Sequence, residues 1–395
     1  MTTLDELRRS PNALARHYGR FGVADRLLLT GHSHQAWPDV ALHGQIEAFT
    51  DAAAAVDRKW DLAFAKADRV RAGFRALLDE PDADLALGAS THDLVIRFLS
   101  SVDLPRRPRL VTTDGEFHTL RRQLARLAEE GVEVVRVPTA PVDTLAERLA
   151  AAAVDARTAA VMVSMVLFET ARIVPDLGTL AAACERGGVE LLVDAYHALG
   201  VVPVSVREQG LGPAWITGGG YKYLQLGEGN CFLRLPPHAA ALRPVVTGWF
   251  AEFEELTARA KGLVGYAPGG DRFAGSTYDP TSHYRAASVL DFFAGQGLTS
   301  AFLREVSQHQ TGLLASLFDA LDTPPEVITR DRSAPHTEYG GFLALSSPRA
   351  NELQKELAER GVLTDSRGKF LRFGPAPYMS DEQLEKAIAT LDELV

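Results

Sequence analysis

Cysteine is nearly missing from this chain. Cys184 and Cys231 are the two among 395 residues, too few for a disulfide framework or a zinc cluster. No apolar run approaches the roughly 18 residues that a membrane span requires, and the opening MTTLDELRRS lacks a signal-peptide core. Positive charge is in deficit: Lys and Arg number 41 against 51 Asp and Glu, a formal net charge of −10, which argues against nucleic acid as the main partner. Internal repeats and low-complexity segments are missing too, beyond helices rich in Ala, Leu and Arg. With 46% hydrophobic and 23% charged residues there is little room for long disordered tails. The expectation is a cytoplasmic globular protein with no metal, membrane or nucleic acid among its partners.

What is present is a rhythm. Residues 1–25, with Leu4, Leu7, Leu14 and Ala15 to one side, predict an amphipathic helix. The loop GHSHQAWP at 31–38 suits either ligand contact or a capped turn, and a helical stretch carrying Trp60 then runs to about Leu78. From Asp84, short apolar runs at 85–87, 110–112, 132–137 and 160–166 alternate with helical patterns at 91–101, 118–130, 142–154 and 176–187. Such alternation predicts an α/β fold, a mainly parallel central sheet with helices on both faces. After Leu235 the pattern loosens into a loop-rich stretch to about Pro280. Helices at 283–296 and 299–320 then lead into a smaller α+β C-terminal domain, with strands near 325–329, 340–346 and 370–373 and helices at 348–360 and 380–393. The expected division is an N-terminal segment over 1–45, a large domain over 46–280 and a small C-terminal domain over 281–395.

The chemistry concentrates between Val189 and Leu235. Leu191-Leu192-Val193 is too short for a helix and apolar enough for a buried parallel strand. It delivers Asp194, followed by His197 and Gly200; a second short strand over 214–217 runs through three glycines into Tyr221-Lys222-Tyr223. A third, 230–235, follows the turn Gly227-Glu228-Gly229. In a mainly parallel sheet, ligands sit beyond the carboxyl ends of the strands. A carboxylate at one strand end and a lysine beyond a later one is the pair that pyridoxal phosphate requires. The lysine amine holds the cofactor and the carboxylate keeps its pyridine nitrogen protonated. The same two residues also suit a helix cap and a solvated loop lysine.

Other strand exits bear on the choice. Gly88-Ala89-Ser90-Thr91 opens a helix, where hydroxyls and unpaired amides suit a phosphate as well as an ordinary N-cap. Thr113-Asp114-Gly115-Glu116-Phe117-His118 carries an aromatic able to stack on a flat ring or to join the core. Phe168-Glu169-Thr170-Ala171-Arg172 sets an acid and a base beside the site.

Five segments, in order, resemble the kynureninase family and, more broadly, class V of the fold-type-I pyridoxal phosphate enzymes, over most of the chain. Asp194-x-x-His197-x-x-Gly200 looks like the family's DxxHxxG, whose Asp meets the pyridine nitrogen. Tyr221-Lys222-Tyr223-Leu224 matches its SYKYLN lysine segment, with Gly220 where the serine usually stands. Gly248-Trp249-Phe250 resembles the GWW or GWF turn whose tryptophan helps hold the phosphate. Phe273-Ala274-Gly275-Ser276-Thr277 resembles the FRISN turn that reaches the neighbouring subunit's site. Thr364-Asp365-Ser366-Arg367 and Leu371-Arg372-Phe373-Gly374-Pro375-Ala376-Pro377-Tyr378 resemble the DxR…IRVAPVPLY ending, whose arginine binds the substrate carboxylate.

The resemblance implies a homodimer with active sites shared between subunits, acting on a small amino-acid substrate. Lys222 would attach the cofactor and move the α-proton, and Arg372 would pair with the α-carboxylate. Phe117, His197 and Tyr221 would line the ring. Ser90, Thr91 and Trp249, with Ser276 or Thr277 of the neighbouring subunit, would hold the phosphate. Two departures bear on the reaction. The family's GNSLG is Gly31-His32-Ser33-His34-Gln35 here, so His32 and Ser33 stand where side chains face substrate. The family's FYTGQ tyrosine, implicated in proton transfer, is replaced by Glu169, which Arg172 is expected to keep ionised. Kynureninase-like Cβ–Cγ cleavage is the leading expectation. A C–S β-lyase on a cysteine-type substrate or an aminotransferase is the alternative, and a non-enzymatic protein of the same fold stands further off.

Overall fold

In the computed structural model, which describes residues 2–255 and 263–395, seven strands form the central sheet. They are β1 (Leu85–Gly88), β2 (Arg109–Thr113), β3 (Glu133–Val137), β4 (Thr158–Ser164), β5 (Glu190–Asp194), β6 (Trp215–Gly219) and β7 (Cys231–Arg234). Their order across the sheet is β1-β7-β6-β5-β4-β2-β3. All neighbours pair in parallel except β7, which runs antiparallel to both β1 and β6. The reason is the connection: a parallel return needs a crossover of a dozen or more residues, usually a helix, whereas the loop 220–230 is short and helix-free. Positive φ at Gly227 and Gly229 turns it back directly.

Both faces of this sheet are covered. Leu110, Ala160, Met162, Leu192, Trp215 and Leu233 pack on one side with Leu94 and Phe98 of the helix Thr91–Ser101. Their neighbours in sequence, Val111, Val161, Val163, Leu191, Val193, Ile216 and Phe232, pack on the other, with the helices Leu145–Ala153 and Leu177–Arg186. That is why β4 and β5 read as continuous apolar runs instead of alternating.

The amphipathic helix expected over residues 1–25 is not formed. Leu4–Arg8 is one short helix with a Thr3–Glu6 capping box, and 3-10 turns follow at Ala15–Tyr18 and Val23–Asp25. Pro11 has no N–H to continue the ladder, and Gly22 takes φ +59. The stretch to Leu78 is two helices, Val40–Ala55 and Lys59–Leu77, and both pack against Thr281–Gln296. Part of the loop-rich stretch expected before Pro280, residues 256–262, lies outside the described residues.

The C-terminal sheet is antiparallel, in the order β10 (Asp365–Arg367), β11 (Phe370–Phe373), β9 (Leu343–Ser346), β8 (Thr329–Arg330). Helices Ala350–Glu359 and Asp381–Asp392 accompany it, the latter packing on Ser300–Asp319. The N-terminal strand Leu27–Leu28 pairs in parallel with Val362–Leu363, and Thr30 bridges to Gly374. That pairing carries the 31–35 loop to the end of β11, where Arg372 lies.

Candidate active site

Lys222 is the centre of the site. Its side chain is 5% exposed, and its Nζ lies 5.3 Å from the ring centres of Phe117, Tyr196 and Tyr221 and 3.1 Å from His197 Nε2. Burial pulls the amine down to about 7, with the Asp194 charge pulling the other way. His197 is held well below the usual imidazole range, first by its own burial and then by Lys222. It is therefore a neutral partner for the amine. The backbone reaches this position because β6 ends in glycines. A Cβ at Gly219 would stand 2.5 Å from Tyr196 Oη and 2.6 Å from Cys231 Sγ, so a side chain there would displace one of the three aromatic walls.

Asp194 ends β5 in register with Thr217 of β6 and Ser164 of β4. Its Oδ1 accepts the Tyr196 N–H at 2.8 Å. Burial raises its pKa, while that hydrogen bond and the Lys222 charge hold it down. Thr91, Phe117 and Asp194 line one narrow cleft together with Thr217. Ser90 caps the helix that Thr91 opens, accepting Asp93 N–H at 3.2 Å. Two of the three exits singled out in the sequence thus open beside the lysine. A flat, anionic group with a ring nitrogen fits this donor set: an amine, a carboxylate, aromatic faces and a helix N-terminus.

Arg372 approaches from β11. It is buried, donates from Nη1 to the Phe168 carbonyl and from Nη2 to Asp365 at 2.6 Å, and its Nε is left with no partner. Asp365 also holds Arg367 at 2.7 Å. His32 is fully buried with both ring nitrogens unpartnered, its Nε2 3.7 Å from Asp365 Oδ2 and its ring 4.7 Å from Phe342. Burial, then Arg372, keeps it neutral. Gly374 makes the fit possible, since a Cβ there would run into His32. Ser33 Oγ lies 3.4 Å from His34 Nδ1, and His34 stacks on Tyr221 at 5.2 Å.

Glu169 follows Phe168, the residue whose carbonyl Arg372 holds, and its charge acts on His118. Arg172, close to Glu169 in sequence, makes its ion pairs with other carboxylates. The Arg172 guanidinium is buried against Asp143 at 2.9 Å and Glu338 at 3.2 Å and lies over Tyr339. A third carboxylate, Asp331 at 3.8 Å, joins them.

Trp249, Ser276 and Thr277 gather elsewhere. Trp249 is 41% exposed and donates from Nε1 to Thr277 Oγ1 at 3.1 Å. Ser276 and Thr277 line a cavity of about 890 Å³ with Gly88, Ala89 and Asp93, just outside the start of the Thr91 helix. A second cavity, about 780 Å³, is walled by Thr170, Phe342 and Ala344 on the Arg372 side of the small sheet.

Four neighbours of the site escaped the sequence reading as site residues: Tyr196, Asp365, Phe342 and Glu116. Tyr196 sits inside the DxxH segment and carried a signal, since a strand-exit aromatic two residues after the aspartate is placed to face the lysine. Asp365 carried one as the first residue of the DxR-like segment, whereas Phe342 carried none, because only the antiparallel register of the small sheet brings it to Arg372. Among the described residues, no helix is long and apolar enough to cross a membrane and no cluster of three metal-ligating side chains forms.

Comparison with known proteins shows what the chain is similar to. Residues 303–391 match the kynureninase C-terminal domain family. The chain is 29% identical over 344 residues to a kynureninase of Deinococcus radiodurans, covering 83% of this chain and 78% of that one. It is 27% identical over 350 residues to a kynureninase of Pseudomonas fluorescens, with 82% and 80% covered, and 25% identical to an uncharacterized aminotransferase of Bacillus subtilis, with 83% and 84% covered. Among solved structures, the cystine C-S lyase C-DES in complex with cysteine persulfide superposes with a TM-score of 0.80 at 17% identity, covering 94% of this chain and 98% of that one. A C-DES variant with glycine covalently linked to its PLP cofactor gives 0.81 at 18%, covering 96% and 98%. The chain is similar to kynureninases over about four-fifths of its length and has the fold of the class V, fold-type-I pyridoxal phosphate enzymes.

Proposed function

We propose that the chain is a pyridoxal-phosphate-dependent enzyme that acts on the side chain of an amino acid, cleaving a Cβ–Cγ bond in the manner of a kynureninase. The observation that carries this is the buried Lys222 amine, set among three aromatic faces beside the half-buried carboxylate of Asp194 at the end of β5. When bound, pyridoxal phosphate supplies an electron sink for negative charge at the substrate's α-carbon. Lys222 would hold it covalently, Asp194 would keep a proton on its ring nitrogen, and Phe117 would pack on the ring. Ser90 and Thr91 would take the phosphate at their helix N-terminus. Trp249, with Ser276 or Thr277 of a second copy, would complete that phosphate site in a homodimer.

The residues divide the remaining work. Arg372 binds the α-carboxylate, and its buried, unpartnered Nε is a donor awaiting an acceptor. Lys222, with its pKa near neutrality, takes the α-proton and returns it. His197 orients the amine through the 3.1 Å contact. His32 and Ser33, on the loop beside Arg372 and Tyr221, face the substrate from the other side. A reversible visible absorption band, fixed by borohydride, tests cofactor attachment. A substrate panel scored for alanine against pyruvate then separates Cβ–Cγ cleavage from β-elimination.

Arg372→Lys is expected to raise KM by roughly ten- to a hundredfold with a smaller fall in kcat, because a point charge cannot reproduce the forked contact. Steady-state kinetics on the best substrate of the panel decide; an unchanged KM would move the carboxylate site to another cation.

Glu169 favours a second reading, C–S cleavage of a cysteine-type substrate, because a carboxylate replaces the tyrosine that resembles the family's proton donor. A carboxylate at this place would serve as a base or as a partner for a cationic or hydroxyl-bearing substrate. Plain kynurenine is then a poor substrate, and Glu169→Tyr should raise its cleavage by about tenfold or more. Efficient kynurenine hydrolysis by the unmodified chain, with no gain on substitution, would make the difference at this position neutral.

A further inference from the structure

Among the described residues, Glu116 is the one buried carboxylate beside the site that the proposed chemistry leaves without a task. It is 2% exposed and lies between the ends of β2, β4 and β5, in the turn that carries Phe117. Its Oε1 accepts Thr113 Oγ1 at 2.6 Å and the Ser164 N–H at 3.2 Å, and its Oε2 accepts Ser164 Oγ at 2.6 Å. Ser164 is paired in register with Asp194. One side chain thus ties together the strand end before Phe117, the strand end beside Asp194, and the peptide that leads to Phe117 itself.

Hydroxyls and an N–H would satisfy a charged carboxylate more fully than a neutral one, which must find an acceptor for its own proton. Burial opposes the charge and raises Glu116 to about 7; the hydrogen bonds from Ser164 and Thr113 pull it down, and the neighbouring Asp194 charge adds to the rise. The charged group facing Glu116 is Asp194, from β5; Thr113 from β2 and Ser164 from β4 present neutral donors. Lys222 lies beyond Asp194 and acts on it in turn.

We propose that Glu116 is a positioning residue of the cofactor site. Ionised, it holds Phe117 and Asp194 in fixed relation through Ser164 and Thr113, and its negative charge favours the protons that the site keeps on the ring nitrogen and at Lys222. This rests on the pyridoxal phosphate reading above and adds a second carboxylate, behind the first, to the groups that set the charge of the site. A carboxamide at the same place keeps the shape but loses the charge, so the site's protons should leave at lower pH.

The test is a pH titration of the visible absorption band of the cofactor-loaded protein. Glu116→Gln should lower the midpoint by about 0.5–1 pH unit, the scale of one unit charge removed at a few ångströms beyond contact in a protein interior. Glu116→Asp, which keeps the charge, should stay nearer the wild-type midpoint. Should Glu116→Gln fail to fold, Ser164→Ala and Thr113→Val carry the same test. Each removes a hydrogen bond that favours the ionised form and should move the midpoint in the same direction by less. Midpoints unchanged in the variants that fold would overturn the proposal and leave Glu116 a purely structural tie. A wild-type protein with no visible band after loading would instead overturn the cofactor reading on which the proposal rests.

Discussion

Lys222→Ala is expected to abolish turnover, lowering kcat by roughly a thousandfold or more, and to leave the protein without a borohydride-fixable chromophore. Two tasks fall on this amine, and neither has an evident deputy. It is the nucleophile that would hold the cofactor, and it is the base whose pKa, drawn to about 7 by burial, matches a neutral working pH. The nearest nitrogen is His197 Nε2 at 3.1 Å, but burial and Lys222 hold that ring neutral. It carries no primary amine, so it can neither attach an aldehyde in the same way nor be freed at the same point. Loss of the ammonium also relieves His197 of a neighbouring charge, so its basicity should rise slightly in the variant. The check is a folded preparation, judged by circular dichroism and unchanged thermal unfolding, assayed beside wild type. Normal turnover from such a preparation would remove the foundation of the whole functional reading.

The sequence carried the frame of this site better than its detail. β4, β5 and β6 were legible because strands buried on both faces are written as unbroken apolar runs, and their exits name Asp194 and lead to Lys222. The helices beginning at Thr91 and His118 were legible because each follows its strand through a short polar turn. The N-terminal helix was misread because Leu4, Leu7 and Leu14 share a helical spacing across Pro11, and spacing does not register a broken hydrogen-bond ladder. Adjacency in sequence sets Arg172 near Glu169 but gives no sign of its carboxylate partners, which come from residues 143, 331 and 338. The Asp365 contact with Arg372 follows from antiparallel register across a two-residue turn. Glu116 was in plain view before Phe117, yet one glutamate in a turn carries no mark of burial until its three donors are in place.

Asp194→Asn should leave folding and much of the cofactor binding intact while lowering kcat by roughly a hundredfold or more, the usual scale for removing one preorganised group that stabilises transition-state charge. The amide is isosteric and can still accept the Tyr196 N–H that Asp194 Oδ1 now accepts at 2.8 Å. What it cannot do is hold a proton on the pyridine nitrogen by charge. A second consequence fixes the sign of the pH effect. The Asp194 anion opposes the burial that lowers Lys222, so its removal should let the free amine fall below about 7, and the acidic limb of the rate profile should move to lower pH. Asp194→Glu keeps the charge and should retain that limb near its original position, whatever it costs in alignment. An unchanged rate in Asp194→Asn would mean that another carboxylate governs the ring nitrogen. Glu116, tied through Ser164 to the strand end paired with Asp194, is the residue to substitute next: a double variant falling far below either single one would assign the work to both.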